Sequence, residues 1–418
     1  MKLVELAASD FDKFASTHPL RNYCQSSSYA KFMAEQGFAF EYIGYSDDTN
    51  NLVAASLMLY KKIGMGHKFA YAPKGFLIDY YNKDLLKKFV DEMVDRCRTK
   101  GVVFIKINPE IIIGELKAKK NFLTEANPNF QIIDELKDLK FKRRREIETY
   151  ELLMPRFSPY INLKKYNEEK LAFDFKNYIK ISKSRGLILE DAPTKEINQL
   201  YDLIKDHVPQ EIGFYRNLLN IFNKDNLNDM ADMLLVQINY REFLLQAQKN
   251  YDLEQDRNNI LNEMMQDEAN EENLELKMES DKILLQLKDN IIEATEGLKN
   301  KEAQYIAGAI IIKYSNRISI IASGYDPDFV TIYPMHFLYS SIIEKYKDDY
   351  DYLDLNGYLE NPAKDSVHQD LNEFKLGYKP NIYEFIGEFD IILDDMKFRS
   401  LQARDLVSTE IKKQRLNK

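Results

Sequence analysis

The stretch that decides the fold is REFLLQAQKNYDLEQDRNNILNEMMQDEANEENLELKMESDKILLQLKDNIIEATEGLKNKEAQ, residues 241–304. It has no proline, one glycine (Gly297), and a composition dominated by Glu, Lys, Gln, Leu and Met. Its apolar residues recur at helical spacing: Ile260, Leu261, Met264 and Met265, then Leu274, Ile283, Leu284, Leu287 and Ile291. The acidic segment 267–273 interrupts them. The pattern predicts an antiparallel helical hairpin with its tip at that segment and helices of about 27 residues, roughly 40 Å each.

A disordered, charged linker is the alternative interpretation of this stretch. The sustained apolar stripe argues against it, because disordered linkers lack such periodicity. We therefore predict a helical hairpin (coiled-coil) arm over residues 241–303.

Strands and helices are predicted on both sides of the arm. Before it come helices at Asp191–Ile204 and Asn217–Asp229 and a strand at Ala231–Asn239. After it come strands at Tyr305–Ile312, Arg317–Ala322, Tyr352–Leu355 and Glu384–Ile392 and a helix at Met335–Tyr346. The arm therefore interrupts one α/β domain, which is made of residues 151–240 and 304–395.

Residues 1–150 show a separate alternation of strands and helices. The predicted elements are strands at Leu52–Lys61, Phe69–Ala72 and Val102–Ile107 and a helix from Lys83 to about Lys100 with Asn82 as its N-cap. A chain of 418 residues also exceeds the usual size of one core. We expect a mixed α/β protein of two domains plus the arm.

Composition excludes several functional classes. The net charge of −9 argues against a general polyanion-binding protein. The two cysteines, Cys24 and Cys97, fit a reduced compartment. The sequence predicts neither a signal peptide nor a membrane span, which favours a cytoplasmic protein. It has no phosphate-binding loop, dinucleotide fingerprint or metal-ligand spacing, so no cofactor and no metal are expected. Residues 396–418 form a basic C-terminal tail.

Several short strings occur along the chain in a fixed order. They are residues 25–30 (QSSSYA), 73–80 (PKGFLIDY), 105–109 (IKINP), 155–157 (PRF), 182–186 (SKSRG), 308–309 (GA), 374–378 (FKLGY) and 384–390 (EFIGEFD), with the arm between the fifth and the sixth. This order resembles the Fem family (FemA, FemB, FemX and MurM types) of tRNA-dependent peptidoglycan aminoacyltransferases over nearly the whole chain. The last two strings and the arm are its most specific part.

The resemblance implies two domains of the GNAT-type acetyltransferase fold and an arm like that of seryl-tRNA synthetases. It implies transfer of an amino acid from aminoacyl-tRNA to an amine of a nucleotide-linked or lipid-linked peptidoglycan precursor. Attack of an amine on an activated ester needs positioning and stabilisation of an oxyanion more than a protein nucleophile. Related transferases are a further expected partner. The basic tail suits contact with the anionic inner face of the membrane, and solvated terminal charges are the alternative.

Motif matching places two candidate catalytic residues in the string at 374–378. Lys375 could stabilise negative charge on the ester carbonyl or hold the tRNA end. Phe374 could pack on the terminal adenosine or on the ester. The alternative is a surface lysine beside a core phenylalanine.

Basic residues form a second group of candidates, for binding the substrate. Lys176, Lys180 and Lys183 would share one face of a helix and, with Arg185, could hold a diphosphate. A solvated basic face is the alternative. Lys74, in the family's most recognisable turn, is either a substrate contact or part of the architecture.

The sequence also departs from the family pattern at positions near the expected precursor site. Tyr29 stands where tryptophan is usual, and Asn108 replaces aspartate before Pro109. Met33 occupies the place of a precursor-binding lysine, although Lys31 is close in sequence. Val103 and Ala322 replace tyrosines.

These changes leave a second functional hypothesis open: a diverged or inactive member acting as a binding module in cell-wall assembly. An acyl-coenzyme A-dependent N-acyltransferase is a third, weakened by the lack of a glycine-rich pyrophosphate loop.

Overall fold

The structure, a computed structural model, describes residues 1–63, 66–116, 127–143, 155–223, 229–267, 270–360, 362, 364 and 366–401. The strands are β1 Lys2–Glu5, β2 Ala39–Ser46, β3 Leu52–Ile63, β4 His67–Ala72, β5 Val102–Ile107, β6 Ile112–Leu116, β7 Phe141–Arg143, β8 Phe157–Asn162, β9 Leu187–Asp191, β10 Ala231–Asn239, β11 Ala303–Tyr314, β12 Arg317–Tyr325, β13 Tyr352–Asp354, β14 Asn381–Phe385 and β15 Phe389–Ile392. The helices are α1 Ala8–Thr17, α2 Ser27–Glu35, α3 Lys83–Thr99, α4 Phe130–Asp138, α5 Phe173–Lys183, α6 Ile197–Ile204, α7 Ile212–Phe222, α8 Tyr240–Asp267, α9 Glu271–Asn300, α10 Pro334–Tyr346 and α11 Val367–Gly377.

Two mixed sheets organise these elements, which confirms the predicted α/β class. The first has the order β1-β2-β3-β4-β5-β15-β7, and the second has the order β6-β14-β8-β13-β12-β11-β10-β9. Their pairings are antiparallel except for β4 with β5 and β12 with β13. Helix α3, which packs on the first sheet, begins where the Asn82 side chain accepts a hydrogen bond from the Leu85 amide, as predicted. Its apolar face then packs into the core of that sheet.

Each sheet contains one strand from the other end of the chain. β6, near residue 115, pairs with β14 in the second sheet. β15, near residue 390, lies between β5 and β7 in the first sheet. The single strand predicted at Glu384–Ile392 is therefore wrong: the segment forms two strands in different sheets, separated at Gly387, whose φ is +91°. The predicted domain limits remain predictions, although strand pairing crosses them.

A shared apolar core joins the two sheets. It contains Phe11, Leu57 and Leu59 from the first part of the chain together with Leu235 and Ile310 from the second. Helices α6 and α7 contribute to the same core. The facing sides of the two sheets are therefore in direct apolar contact.

The arm consists of α8 and α9, which pack antiparallel. Asn258 donates a hydrogen bond to Ser280 at 2.9 Å in the middle of the pair. At the base, a Cβ on Gly297 would overlap the Tyr240 ring, which explains the one glycine of the stretch. Residues 268 and 269 of the predicted tip lie outside the described residues. Neither arm helix nor any other described helix combines the length and apolarity needed to cross a membrane.

Two helices predicted before the arm begin and end elsewhere. Asp191 belongs to β9, because it pairs with Leu234, and α6 starts only at Ile197. The helix predicted at Asn217–Asp229 spans Ile212–Phe222 instead. It ends there because the Asn223 side chain bonds both backbone groups of Ala231.

Candidate functional site

A cleft of about 280 Å³ lies where the two sheets meet. It is lined by Pro19, Leu20, Arg21, Glu110, Ile112, Tyr160, Asn316, Arg317, Tyr352, Tyr383 and Phe385. Glu110 follows β5 of the first sheet, Tyr160 lies on β8, and Arg317 begins β12 of the second sheet. The lining therefore combines aromatic rings with cationic and amide donors, in segments that adjoin both sheets.

A buried ion pair crosses this cleft. The Arg317 guanidinium donates to both carboxylate oxygens of Glu110, at 2.6 and 3.1 Å. Tyr160 donates its hydroxyl proton to the same carboxylate at 2.8 Å, and the Asn22 amide donates to it as well. Such a bidentate, fully hydrogen-bonded pair fixes the relative position of the elements that carry it.

The Glu110 carboxylate stays ionised. Burial acts to raise its pKa, but the charges of Arg317 and Lys74 and the hydrogen bonds from Arg317 and Asn22 outweigh that effect and hold the pKa at about 2. A carboxylate of that pKa is a poor proton acceptor near neutral pH. Glu110 is therefore suited to positioning rather than to general base catalysis.

Two predicted residues, Lys74 and Asn108, lie together beside the cleft. Lys74 has a φ of +54°, and its backbone N–H donates to the Asn108 side-chain oxygen at 2.8 Å. The Tyr71 hydroxyl donates to that oxygen at 3.3 Å. The Lys74 ammonium lies 4.9 Å from the ring centre of Phe385, which lines the cleft. Asn108 therefore holds the turn that presents the Lys74 cation.

Lys375 is buried and is not one of the residues that line the cleft. Its ammonium donates to the backbone oxygens of Asn356 and Gly357, the latter at 2.7 Å. These residues have φ values of +56° and +62°, so the lysine holds a left-handed turn. Burial lowers its pKa to about 8, and the nearby Asp354 carboxylate opposes that shift.

Phe374 is partly buried in an aromatic cluster that packs against the apolar core of the second sheet, called the second core below. Its ring is 4.9 Å from Tyr339 and 5.1 Å from His336, measured between centroids. Burial lowers the pKa of His336 to about 4, so the imidazole is neutral near pH 7. The structure thus places Phe374 in core packing.

The four basic residues around α5 are not brought together as one anion site. Lys176 and Lys183 pair with Glu169 and Glu168, at 3.3 and 3.1 Å. Lys180 is exposed. Arg185 pairs with Glu293 of the arm at 2.6 Å and lies over the Phe243 ring. Arg185 therefore fastens the arm to the body.

The two predicted residues of α2 lie in different environments. Tyr29 is buried and packs its ring edge-on against Tyr23 at 6.0 Å, whereas Lys31 is exposed. Cys24 lies in the same buried region, where desolvation raises the pKa of its thiol to about 12. This thiol is not poised as a nucleophile.

Sequence reasoning missed Glu110, Arg317 and Tyr160, the central group of the cleft. One signal was present: Glu110 and Arg317 each stand at a strand end next to a turn, where site residues often lie. Nothing in the sequence shows that these two strand ends meet. No group of three or more potential metal ligands occurs among the residues that the structure describes.

Comparison with known proteins identifies a family, two similar relatives and a similar solved structure. Residues 6–405 match the family model described as FemAB family. Lipid II:glycine glycyltransferase of Staphylococcus aureus is 22% identical in an alignment 443 positions long, which covers 99% of this chain and 100% of that protein. The same enzyme from strain MSSA476 is 21% identical over the same shares. The crystal structure of FemX superposes with a TM-score of 0.77 at 19% identity, over 96% of this chain and 99% of FemX.

Proposed function

The chain belongs to the FemAB family and is an aminoacyltransferase, and we propose that it transfers an amino acid from aminoacyl-tRNA to the stem-peptide amine of a peptidoglycan precursor, building an interpeptide bridge. The observation that carries this proposal is the family match over residues 6–405, which takes in the cleft, the arm and every strand of both sheets except β1. The names of the glycyltransferase relatives specify lipid II as acceptor, and we extend that acceptor class to this chain.

The proposed reaction balances without a cofactor. The acceptor amine attacks the ester carbonyl carbon, the carbon–nitrogen bond forms, and the bond to the ribose oxygen breaks. The amine proton ends on that oxygen. The buried, protonated thiol of Cys24 supports direct transfer rather than a thioester intermediate.

We propose that the acceptor substrate binds in the cleft. Its aromatic rings and the Arg21 cation, with the Lys74 cation beside it, suit a precursor that carries sugar, phosphate and peptide groups. Glu110 and Arg317 hold its walls. Lys375 is proposed to act in one of two ways. Its ammonium acts on the ester, or it holds the turn at Asn356 and Gly357 and so positions the part of the cleft wall next to Asp354.

The test is transfer by the purified protein from a panel of charged tRNAs to nucleotide-linked and lipid-linked muramyl peptides. We expect one amide product, identified by mass spectrometry, that requires both substrates. A wild-type protein that binds precursor but transfers nothing from any tRNA would contradict the proposal and support the binding-module alternative. Activity with acyl-coenzyme A alone would contradict both.

The proposal extends to contact with the membrane surface. Beyond Leu401 the sequence has Arg404, Lys412, Lys413, Arg415 and Lys418 against Asp405 and Glu410, in residues that lie outside the described part. Each such cation near an anionic surface contributes roughly 1 kcal/mol. Truncation after Leu401, which retains the buried Phe398, should weaken binding to anionic vesicles. Equal, salt-insensitive binding of both forms would contradict an electrostatic anchor.

A further inference from the structure

Exposed apolar side chains are concentrated on the arm. Eight of the seventeen large apolar side chains that are exposed among the described residues lie there: Leu245, Leu253, Ile260, Met264, Leu274, Met278, Leu285 and Ile292. Scattered exposed apolar residues need no explanation, but a contiguous group marks an interaction surface. Polar residues meanwhile occupy part of the seam between the helices, where Asn258, Asn273 and Ser280 are buried.

The apolar residues of α9 form a narrow outward line, which we call the outer stripe. It consists of Leu274, Met278, Leu285 and Ile292, with exposures between 47% and 63%. Their spacings of four, seven and seven residues keep them within about 40° of one another around the helix. Such a line is the pattern of a helix that packs against another helix along its length.

Charges on either side of the outer stripe are arranged symmetrically about Leu285. Lys282 lies three residues before it and Asp289 four residues after it, on one side of the stripe. Asp281 and Lys288 occupy the equivalent places on the other side, with the charges reversed. All four side chains are exposed. Asp281 also pairs with Lys277 at 2.5 Å and accepts a hydrogen bond from Asn258 of α8, and Lys288 lies over the Tyr251 ring of α8. Lys282 and Asp289, by contrast, form no ion pair within the described part of the chain.

We propose that the outer stripe is a self-association surface, on which α9 of a second copy of this chain packs antiparallel about a two-fold axis at Leu285. That axis places Leu285 against Leu285 of the other chain. It also creates two equivalent contacts between Met278 of one chain and Ile292 of the other. It also places Lys282 beside Asp289 and Asp281 beside Lys288 of the other chain, within about one residue rise, 1.5 Å, of the same height. Flanking charges of this kind select partner and orientation in paired helices.

A second copy fits this surface because the surface is complementary to itself. An isologous two-fold contact requires that a residue and its symmetry partner each find the matching group. Both kinds of contact, apolar and ionic, meet that condition about one axis. The interface is small, so we expect a dimer of roughly micromolar or weaker affinity that weakens with salt.

Cysteine cross-linking tests the two-fold axis directly. The native cysteines Cys24 and Cys97 are buried, so they do not interfere. In the full-length protein at roughly 50 µM, Leu285→Cys should form an intermolecular disulfide rapidly under mild oxidation, because the residue meets its own copy. Leu253→Cys is the matched control, since Leu253 is 60% exposed against 63% for Leu285 but lies on α8. Equal cross-linking of both variants would overturn the proposal.

Charge reversal provides an independent test by sedimentation velocity at low salt. Lys282→Glu alone and Asp289→Lys alone each place like charges together twice, so each should raise the dimer dissociation constant about tenfold or more. The double variant restores opposite charges and should return the constant to near the wild-type value. A wild-type protein that is monomeric up to about 200 µM, or a double variant as weak as the singles, would overturn the proposal.

Discussion

At the scale of single residues, Lys375 illustrates how a motif can identify a residue without indicating its surroundings. The sequence alternative was a surface lysine, whereas the side chain is only 4% exposed and its ammonium holds a left-handed turn. A buried ammonium with a pKa of about 8 loses its charge just above neutral pH. Its contribution to transfer should therefore depend on pH.

Lys375→Met should lower the single-turnover transfer rate by about 10²-fold or more, as for loss of one oxyanion-stabilising group. The wild-type rate should also fall as pH rises through about 8, because the neutral amine replaces the ammonium. Lys375→Arg should keep its charge and lose that alkaline limb. A Met variant with the wild-type rate, or an Arg variant with an unchanged alkaline limb, would remove Lys375 from the mechanism.

The Glu110–Arg317 pair should stabilise the fold through its burial. Arg317→Met leaves a buried carboxylate without its main partner and should cost about 3–5 kcal/mol in denaturant unfolding. Glu110→Gln with Arg317→Met should cost less than the sum of the single changes. Arg98→Met removes an exposed pair with Asp95 and should cost less than about 1 kcal/mol. Additive effects at Glu110 and Arg317 would contradict a coupled pair.

Acid stability should reflect the same carboxylate. Its folded pKa of about 2 lies below the usual 4.5, so the unfolded chain binds the proton more tightly. The stabilisation is therefore present above about pH 4.5 and is lost as pH falls towards 2. Glu110→Gln should flatten this part of the stability curve, measured by urea unfolding between pH 2 and 5. An unchanged slope would show that other carboxylates account for it.

At the scale of elements, the arm is both a projection and a part of the core. Phe243, Ala247 and Ala294 at its base belong to the second core, whereas the rest of each helix packs mainly on its partner. The ends are adjacent, because the Tyr240 amide donates to the Glu302 oxygen at 3.0 Å. Where the arm is cut should therefore decide the effect on stability.

Replacing residues 249–288 by a short Gly/Ser linker should leave the free energy of unfolding within about 1 kcal/mol of wild type. Replacing residues 241–301 also removes Phe243 from the core and should cost about 3–5 kcal/mol, the usual effect of deleting a buried phenylalanine. Denaturant unfolding of both variants measures the difference. Equal stability of the two would show that the base contributes nothing to the core.

The elements could be predicted from sequence where one local signal sufficed. The arm, α3 and β10–β12 follow from periodicity, capping and turn residues, and the sequence placed them within a few residues. The prediction for segment 384–392 was wrong because strand-forming residues stand on both sides of Gly387, and periodicity does not show that the chain changes sheet there. The cleft could not be predicted for a related reason. Glu110 and Arg317 lie 207 residues apart, and only the long-range packing of the two sheets brings them together.

At the scale of the whole molecule, the exchanged strands oppose independent unfolding of the two halves. Domains of this size usually unfold as separate units. Here β15 cannot leave the first sheet without disturbing β14, which precedes it by three residues in the second sheet. Buried ion pairs strengthen the connection, since the Lys106 ammonium lies 2.8 Å from Glu388 and 3.0 Å from Asp390.

We therefore expect one cooperative transition, with equal calorimetric and van't Hoff enthalpies. Phe89→Ala, in the core of the first sheet, should lower the opening free energies of β3 and of β11 by the same amount, about 3–5 kcal/mol, in native-state hydrogen exchange. Leu338→Ala is the matched change in the second core and should affect both strands equally, because neither sheet is complete without a strand from the other end of the chain. The contrary result would be that each substitution lowers the opening free energy only of the strand in its own core. The exchanged strands would then not couple the two halves, which would unfold as ordinary domains.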